Sequence, residues 1–165
     1  MEEDLIKKTA QAIRRSKKVV ALTGAGISVE SGIPDFRGPS GLWEKFDPME
    51  YATIDAFVAD PKKVWAMLKE MGSLVERAEP NPAHIALAQL ERVGLLSSIV
   101  TQNIDNLHQA AGSQRVMEFH GNSSKLLCMS CGRLIDRKEI VLEPLPPRCS
   151  CSGVLKPNVV FFGEA

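Results

Sequence analysis

Three groups of residues have the types and spacing to do chemistry. The first is Gly24-Ala25-Gly26, followed closely by Asp35-Phe36-Arg37 between Pro34 and Gly38. Glycines let backbone N–H groups approach an anion such as a phosphate, and a helix start adds positive potential. Val29 stands where the dinucleotide fingerprint has its third glycine, so an ordinary strand-to-loop turn remains an alternative. A plain turn has no need of the acid, aromatic and cation that follow. The second group is a pair of polar turns, Gln102-Asn103-Ile104-Asp105 and His120-Gly121. The third is Cys128-Met-Ser-Cys131 and Cys149-Ser-Cys151, with seventeen residues between the two pairs. That spacing suits a four-cysteine zinc ribbon whose second knuckle is one residue short. A closed sulfur shell leaves no position for water, so such a zinc is structural. Free thiols or two disulfides are the alternatives.

The elements that must position these groups follow from hydrophobic pattern. Val19–Thr23, Ser97–Thr101 and Val116–Phe119 read as strands, and each runs into one of the polar or glycine-rich turns. Helices are expected at Leu5–Arg15, at Pro61 to about Glu76 with Asp60 as cap, from Asn81-Pro82 to near Gly94, and at Leu107–Ala111. His84 and His108 fall on the last two; His84 reads as a packed helix residue rather than a ligand, and His108 as a surface or packing residue. Val159–Phe162 is the last strand candidate, and Pro144 to Pro147 stiffen the approach to the second cysteine pair. Strands alternating with helices imply an α/β fold: a Rossmann-like parallel sheet covered on both faces. Ligands of such sheets sit beyond the carboxyl ends of the strands, so Arg37, Asn103, Asp105 and His120 should face one cleft. The expected organisation is a nucleotide-binding unit over 1–125 and 154–165, with a helical insertion at about 40–80, and a zinc module over 126–153.

Bulk properties narrow the classes. Among 165 residues, 20 Lys+Arg balance 20 Asp+Glu, which argues against a nucleic-acid or membrane surface as the main partner. The acidic start Met1-Glu2-Glu3-Asp4 lacks the basic-then-apolar pattern of a signal peptide, and a cytoplasmic address is expected.

Taken in order, the glycine loop, Thr101-Gln102-Asn103-Ile104-Asp105, Phe119-His120-Gly121, the cysteine pairs and Leu155–Glu164 resemble the sirtuins, NAD-dependent protein-lysine deacylases. The resemblance implies transfer of an acyl group from lysine to the ribose of NAD, giving nicotinamide, O-acyl-ADP-ribose and free lysine. It implies NAD and a structural Zn2+ as cofactors and an acyl-lysine protein as partner. His120 matches the family's catalytic histidine, and an imidazole can accept a proton near neutral pH. Asn103 joins it as a catalytic residue. Gly24, Ala25 and Gly26 match the phosphate contacts. Asp35, Phe36 and Arg37 match the mobile cofactor loop, with Phe36 shielding the ribose. Gln102, Asn103, Ile104 and Asp105 match the nicotinamide and ribose pocket. Leu68 and Met71 occupy the positions where succinyl- and malonyl-preferring members carry Tyr and Arg, so acetyl or longer apolar acyl groups are expected.

The pattern departs from the family at its end. The Gly-Thr-Ser or Gly-Ser-Ser turn and the Asn-bearing strand that hold the adenosine half of the cofactor have no counterpart before Ala165. The expectation is that the isolated chain lacks C-terminal sheet strands and is a poor catalyst. Two further readings follow: a non-catalytic, zinc-stabilised nucleotide- or partner-binding module, and a protein mono-ADP-ribosyltransferase.

Overall fold

The computed structural model describes residues 2–36, 38 and 41–164. Its centre is a parallel sheet of Val20–Thr23 (β1), Ser98–Thr101 (β2) and Val116–Glu118 (β3), in the order β1-β2-β3. The register sets Thr23 beside Thr101 and Thr101 beside Glu118, so the three strands end level along one side. The helix Glu2–Arg15 (α1) precedes the sheet. Among the described residues the β1-to-β2 crossover carries five α-helices: Leu42–Lys45 (α2), Pro48–Tyr51 (α3), Ile54–Ala59 (α4), Pro61–Val75 (α5) and Pro82–Arg92 (α6). Leu107–Ala110 (α7) lies between β2 and β3.

The two long crossover helices start where the sequence places them. Asp60 accepts a hydrogen bond from the Lys63 N–H, with Pro61 opening α5. Asn81 accepts from the N–H groups of Ala83 and His84, and the His84 ring takes the Asn81 N–H in return.

Two expectations are corrected. The parallel sheet is covered on one face only among the described residues. Ile99 and Thr101 are buried, whereas Leu22 and Met117 on the other face are 72% and 53% exposed. The apolar residues Leu5 and Ile6 of α1 do not cover that face, being exposed themselves.

The last strand also differs. It spans Leu155–Val159 (β6) and is antiparallel, pairing with Gly121–Cys128 (β4), whose other neighbour is Leu134–Asp136 (β5). This second sheet extends past 126–153 on both sides. Lys156 and Pro157 break the apolar pattern and hide β6 in the sequence. The buried Lys156 ammonium is satisfied locally, donating to the Val159 carbonyl at 2.7 Å and pairing with Glu164 at 3.0 Å. Past Val159 the chain turns, and the Phe161 N–H donates to the Glu164 carboxylate instead of to a neighbouring strand.

The main core lies between this antiparallel sheet and the helical insertion, built on Phe57, Val64, Trp65, Leu126, Leu155 and Phe161. Phe57 meets Phe161 edge-on at 5.5 Å, and the Trp65 indole N–H donates to the Leu155 carbonyl at 2.8 Å. Trp65→Ala should therefore cost about 3–5 kcal/mol in urea unfolding, through lost burial and the cavity left behind. Trp65→Phe should cost less, on the order of 1–3 kcal/mol, through the unsatisfied Leu155 carbonyl.

Candidate active site and metal centre

Gly24 leads from β1 into a 3-10 helix over Ala25–Ser31, closed at Gly32 by the left-handed φ of 85° that glycine adopts without strain. No heavy atom lies within 4 Å of where a Cβ would stand on Gly24 or Gly26, so the backbone there is open to a ligand. Ser28, in the same turn, is buried and points inward. Its Oγ donates to Asp105 Oδ2 at 2.7 Å and accepts from Asn103 Nδ2 at 3.1 Å. One hydroxyl thus joins the turn after β1 to the turn after β2. Asn103 is set by its own N–H, which donates to Thr101 Oγ1 at 3.0 Å. Asp105 Oδ1 accepts the Leu107 N–H at 3.0 Å at the start of α7. From α6, Asn81 Nδ2 braces the 3-10 helix by donating to the Ile27 carbonyl (2.7 Å) and Ser31 Oγ (3.0 Å).

The third turn joins through His120. Its Nδ1 lies 3.2 Å from the Gln102 carbonyl oxygen. A carbonyl only accepts, so Nδ1 carries a proton, which makes Nε2 the basic nitrogen of the neutral ring. The ring is half-buried, and the Val160 N–H holds the His120 carbonyl at 2.9 Å. Gln102 itself is exposed, with its N–H on the Thr23 carbonyl. Ile104 packs against the main core and anchors its turn through the Ser123 hydroxyl, which donates to its carbonyl at 2.6 Å.

Asp35 accepts the Gly38 N–H at 2.8 Å, and the Phe36 ring stacks on Trp43 at 5.1 Å while staying half exposed. Trp43 in turn faces Phe162 at 6.3 Å. Arg37 lies outside the described residues. The structure thus joins Gln102, Asn103, Asp105 and His120 by hydrogen bonds, with the Gly24–Gly26 turn linked through Ser28. Sequence reasoning missed Ser28, Thr23, Thr101 and Asn81. A loop serine is most often solvent-facing, and only its burial marks this one. His84 and His108 are fully buried, as packing residues would be.

The four cysteine Sγ atoms lie within 4.8 Å of one another. The Cys128–Cys151 and Cys131–Cys149 separations are 3.5 and 3.9 Å, far beyond a sulfur–sulfur bond. Tetrahedral zinc with Zn–S of about 2.3 Å has sulfur–sulfur edges of roughly 3.8 Å, so the array fits. Backbone N–H groups aim at the sulfurs. The Cys151 N–H leads in pulling Cys149 down to about 6. The Gly153 N–H also lowers Cys151, but the crowding sulfurs of Cys128 and Cys131 outweigh it and push Cys151 up to about 11. A dication removes that conflict by letting all four thiols ionise. Gly153 is required here, because a Cβ would stand 2.7 Å from Cys128 Sγ.

A half-open parallel sheet whose strand-end turns are tied together by hydrogen bonds, joined to a four-cysteine module, defines the class of protein. The Sir2 family model matches residues 24–165, and the chain belongs to the Sir2 family. It is 49% identical over 161 residues to the NAD-dependent protein deacetylase of Sulfurisphaera tokodaii, covering 95% of this chain and 64% of that protein. It is 50% identical over 167 residues to the NAD-dependent protein deacylase 2 of Archaeoglobus fulgidus, covering 98% and 66%. A solved Sir2 homologue–NAD complex matches with a TM-score of 0.87 at 45% identity, over 96% of this chain and 62% of that one. A Sir2–p53 peptide–NAD+ complex matches at 0.85 and 40% identity, over 96% and 65%. The chain therefore spans about two thirds of the length of these relatives.

Two measurements check this geometry. Purified chain should hold one zinc per molecule by elemental analysis. Cys149→Ser should lose it, and chelation should loosen the β4–β6 sheet. Retention should weaken as pH falls, because protons compete for the thiolates. The buried histidines give a separate signal. Burial holds His84 below the usual imidazole pKa; the same burial, aided by the neighbouring His84, lowers His108. Unfolded imidazoles titrate near ~6.5, so below that value the unfolded chain binds more protons. Their contribution is complete above pH ~6.5 and drains as pH falls toward the folded pKa values. The urea midpoint should be lower at pH 5.5 than at 7.5, with a smaller drop in His108→Phe.

Proposed function

We propose that this protein is an NAD-dependent protein-lysine deacetylase or deacylase that forms nicotinamide and O-acyl-ADP-ribose. The observation that carries the reading is that Ser28 ties the turn after β1 to Asn103 and Asp105 after β2, while the half-buried His120 imidazole after β3 bonds the Gln102 carbonyl of that same second turn. NAD, when bound, supplies an electrophilic sugar carbon with nicotinamide as its leaving group. The open backbone of Gly24, Ala25 and Gly26 would approach the phosphates. Asn103 and Asp105, already oriented by Ser28, would hold the carboxamide and ribose hydroxyls, with Gln102 and Ile104 completing the pocket. His120 Nε2 would take a ribose hydroxyl proton, and the Gln102 carbonyl on Nδ1–H would steady the charge that forms. Asp35 would keep its loop in shape. Phe36 on Trp43 would wall the sugar from water, and Arg37 would offer a cation to phosphate or ribose.

In this reading 1–125 and 154–165 carry the nucleotide chemistry and 126–153 the metal. The acyl donor is an acyl-lysine in a protein, a reading supported by the peptide named in the matching complex. Leu68 and Met71 provide no cation for a terminal carboxylate, which favours acetyl and apolar acyl groups over succinyl. No described helix is long and apolar enough to cross a membrane, and a cytoplasmic setting suits an acyl-lysine substrate.

The test is turnover of an acetyl-lysine peptide with NAD. Deacetylated peptide and nicotinamide should appear in equal amounts, and His120→Ala should lower the rate by about 10²–10⁴. A succinyl peptide should be the poorer substrate. Nicotinamide release with ADP-ribose left on protein would point to ADP-ribosyl transfer. Calorimetry showing no binding of NAD or ADP-ribose would leave a non-catalytic module.

A further inference from the structure

His84 on α6 and His108 on α7 are both buried, with rings edge-on and centroids 4.9 Å apart. Each keeps one buried ring nitrogen without a partner: Nε2 of His84 and Nδ1 of His108. Their neighbours decide their tautomers. The Asn81 backbone N–H reaches His84 Nδ1 at 3.4 Å, and a backbone N–H only donates. The His84 proton therefore sits on Nε2. His108 Nε2 lies 2.9 Å from Thr23 Oγ1, and the Thr23 hydroxyl gives its one proton to Thr101 Oγ1 at 2.9 Å. His108 Nε2 must then be the donor, which leaves Nδ1 bare. The reverse arrangement would set two N–H donors against each other out of reach of water, both unsatisfied. In the arrangement found, one orphan nitrogen is a donor and the other an acceptor, in rings that touch.

We infer that His84 and His108 form a neutral pair, His84 Nε2–H donating to His108 Nδ1 across one enclosed water, that positions Asn103 through the Thr23 and Thr101 hydroxyls. The line runs from α6 through α7 to the ends of β1 and β2, where Thr101 Oγ1 accepts the Asn103 N–H at 3.0 Å. At its other end Asn81 holds the Ile27 carbonyl and Ser31, so the line returns to the segment that carries Ser28. Burial favours the neutral form of both rings; Asp105 opposes it at both and does not prevail. Neither histidine touches the reacting atoms. Both are positioning residues for the pocket of the proposed function, on which the catalytic meaning of the pair rests.

Long-range ¹H–¹⁵N correlation on the labelled chain at pH 7.5 reads the tautomers directly. Both rings should be neutral with the proton on Nε2. A proton on His108 Nδ1, or a cationic ring at that pH, overturns the pairing. Positioning is read from hydrogen exchange of the Asn103 backbone amide. Thr23→Val keeps shape and drops the hydroxyl; His108→Phe keeps a ring and drops the nitrogens. Each should speed that exchange at least tenfold, and the double variant should be no worse than either alone. Unchanged exchange in Thr23→Val, which poses the smaller folding risk, overturns the positioning role. NAD affinity should fall about tenfold in each variant. A wild-type chain that binds no NAD overturns the proposed function and not the pair, which the tautomer and exchange data decide independently.

Discussion

The site depends on a single buried hydroxyl. Parallel strands that end level bring their loops to one side of a sheet, but they do not fix those loops against each other. Ser28 does so, by using its one proton on Asp105 and a lone pair on Asn103. Two residues that belong to one turn in sequence are thereby aimed from another turn, seventy-five and seventy-seven positions away. Both carry groups that would otherwise seek water, and both have further partners in Thr101 and the start of α7. A buried polar network of this kind is stable only when its members are satisfied, which makes it specific.

A second constraint holds the imidazole from outside the parallel sheet. β4 begins at Gly121, directly after His120, and β6 ends at Val159, directly before the Val160 N–H that bonds the His120 carbonyl. Gly121 is obligatory at this crossing, since a Cβ would stand 2.2 Å from the Asn158 carbonyl oxygen. The far end of β4 is Cys128, so the metal knuckles and the histidine are the two ends of one strand. The four-cysteine cluster therefore anchors the far end of the strand that begins beside the imidazole. Trp65 ties the same sheet to α5, and the Lys156–Glu164 pair closes the turn after β6.

What was legible in the sequence is what local chemistry dictates. Asp60-Pro61 and Asn81-Pro82 announce helices because a cap and a ring-locked φ act within a few residues. The cysteine pairs announce a metal because two knuckles fix their own geometry. The parallel strands show as apolar runs that stop at polar turns. What escaped depends on distant partners. β6 is masked by Lys156, whose charge is met by Glu164 eight positions later. Ser28 looks like any loop serine until Asp105 and Asn103 close on it. The bare face at Leu22 and Met117 cannot be read from strands whose apolar runs suggest cover on both sides.

The central claim is that three turns form one site for one dinucleotide. ¹H–¹⁵N chemical shifts of the labelled chain during titration with NAD test it most directly. The account predicts that Gly26, Ser28, Asn103, Asp105 and His120 move together along a single saturation curve. Shifts confined to one turn, or to the outer face of the parallel sheet while His120 stays still, would contradict it.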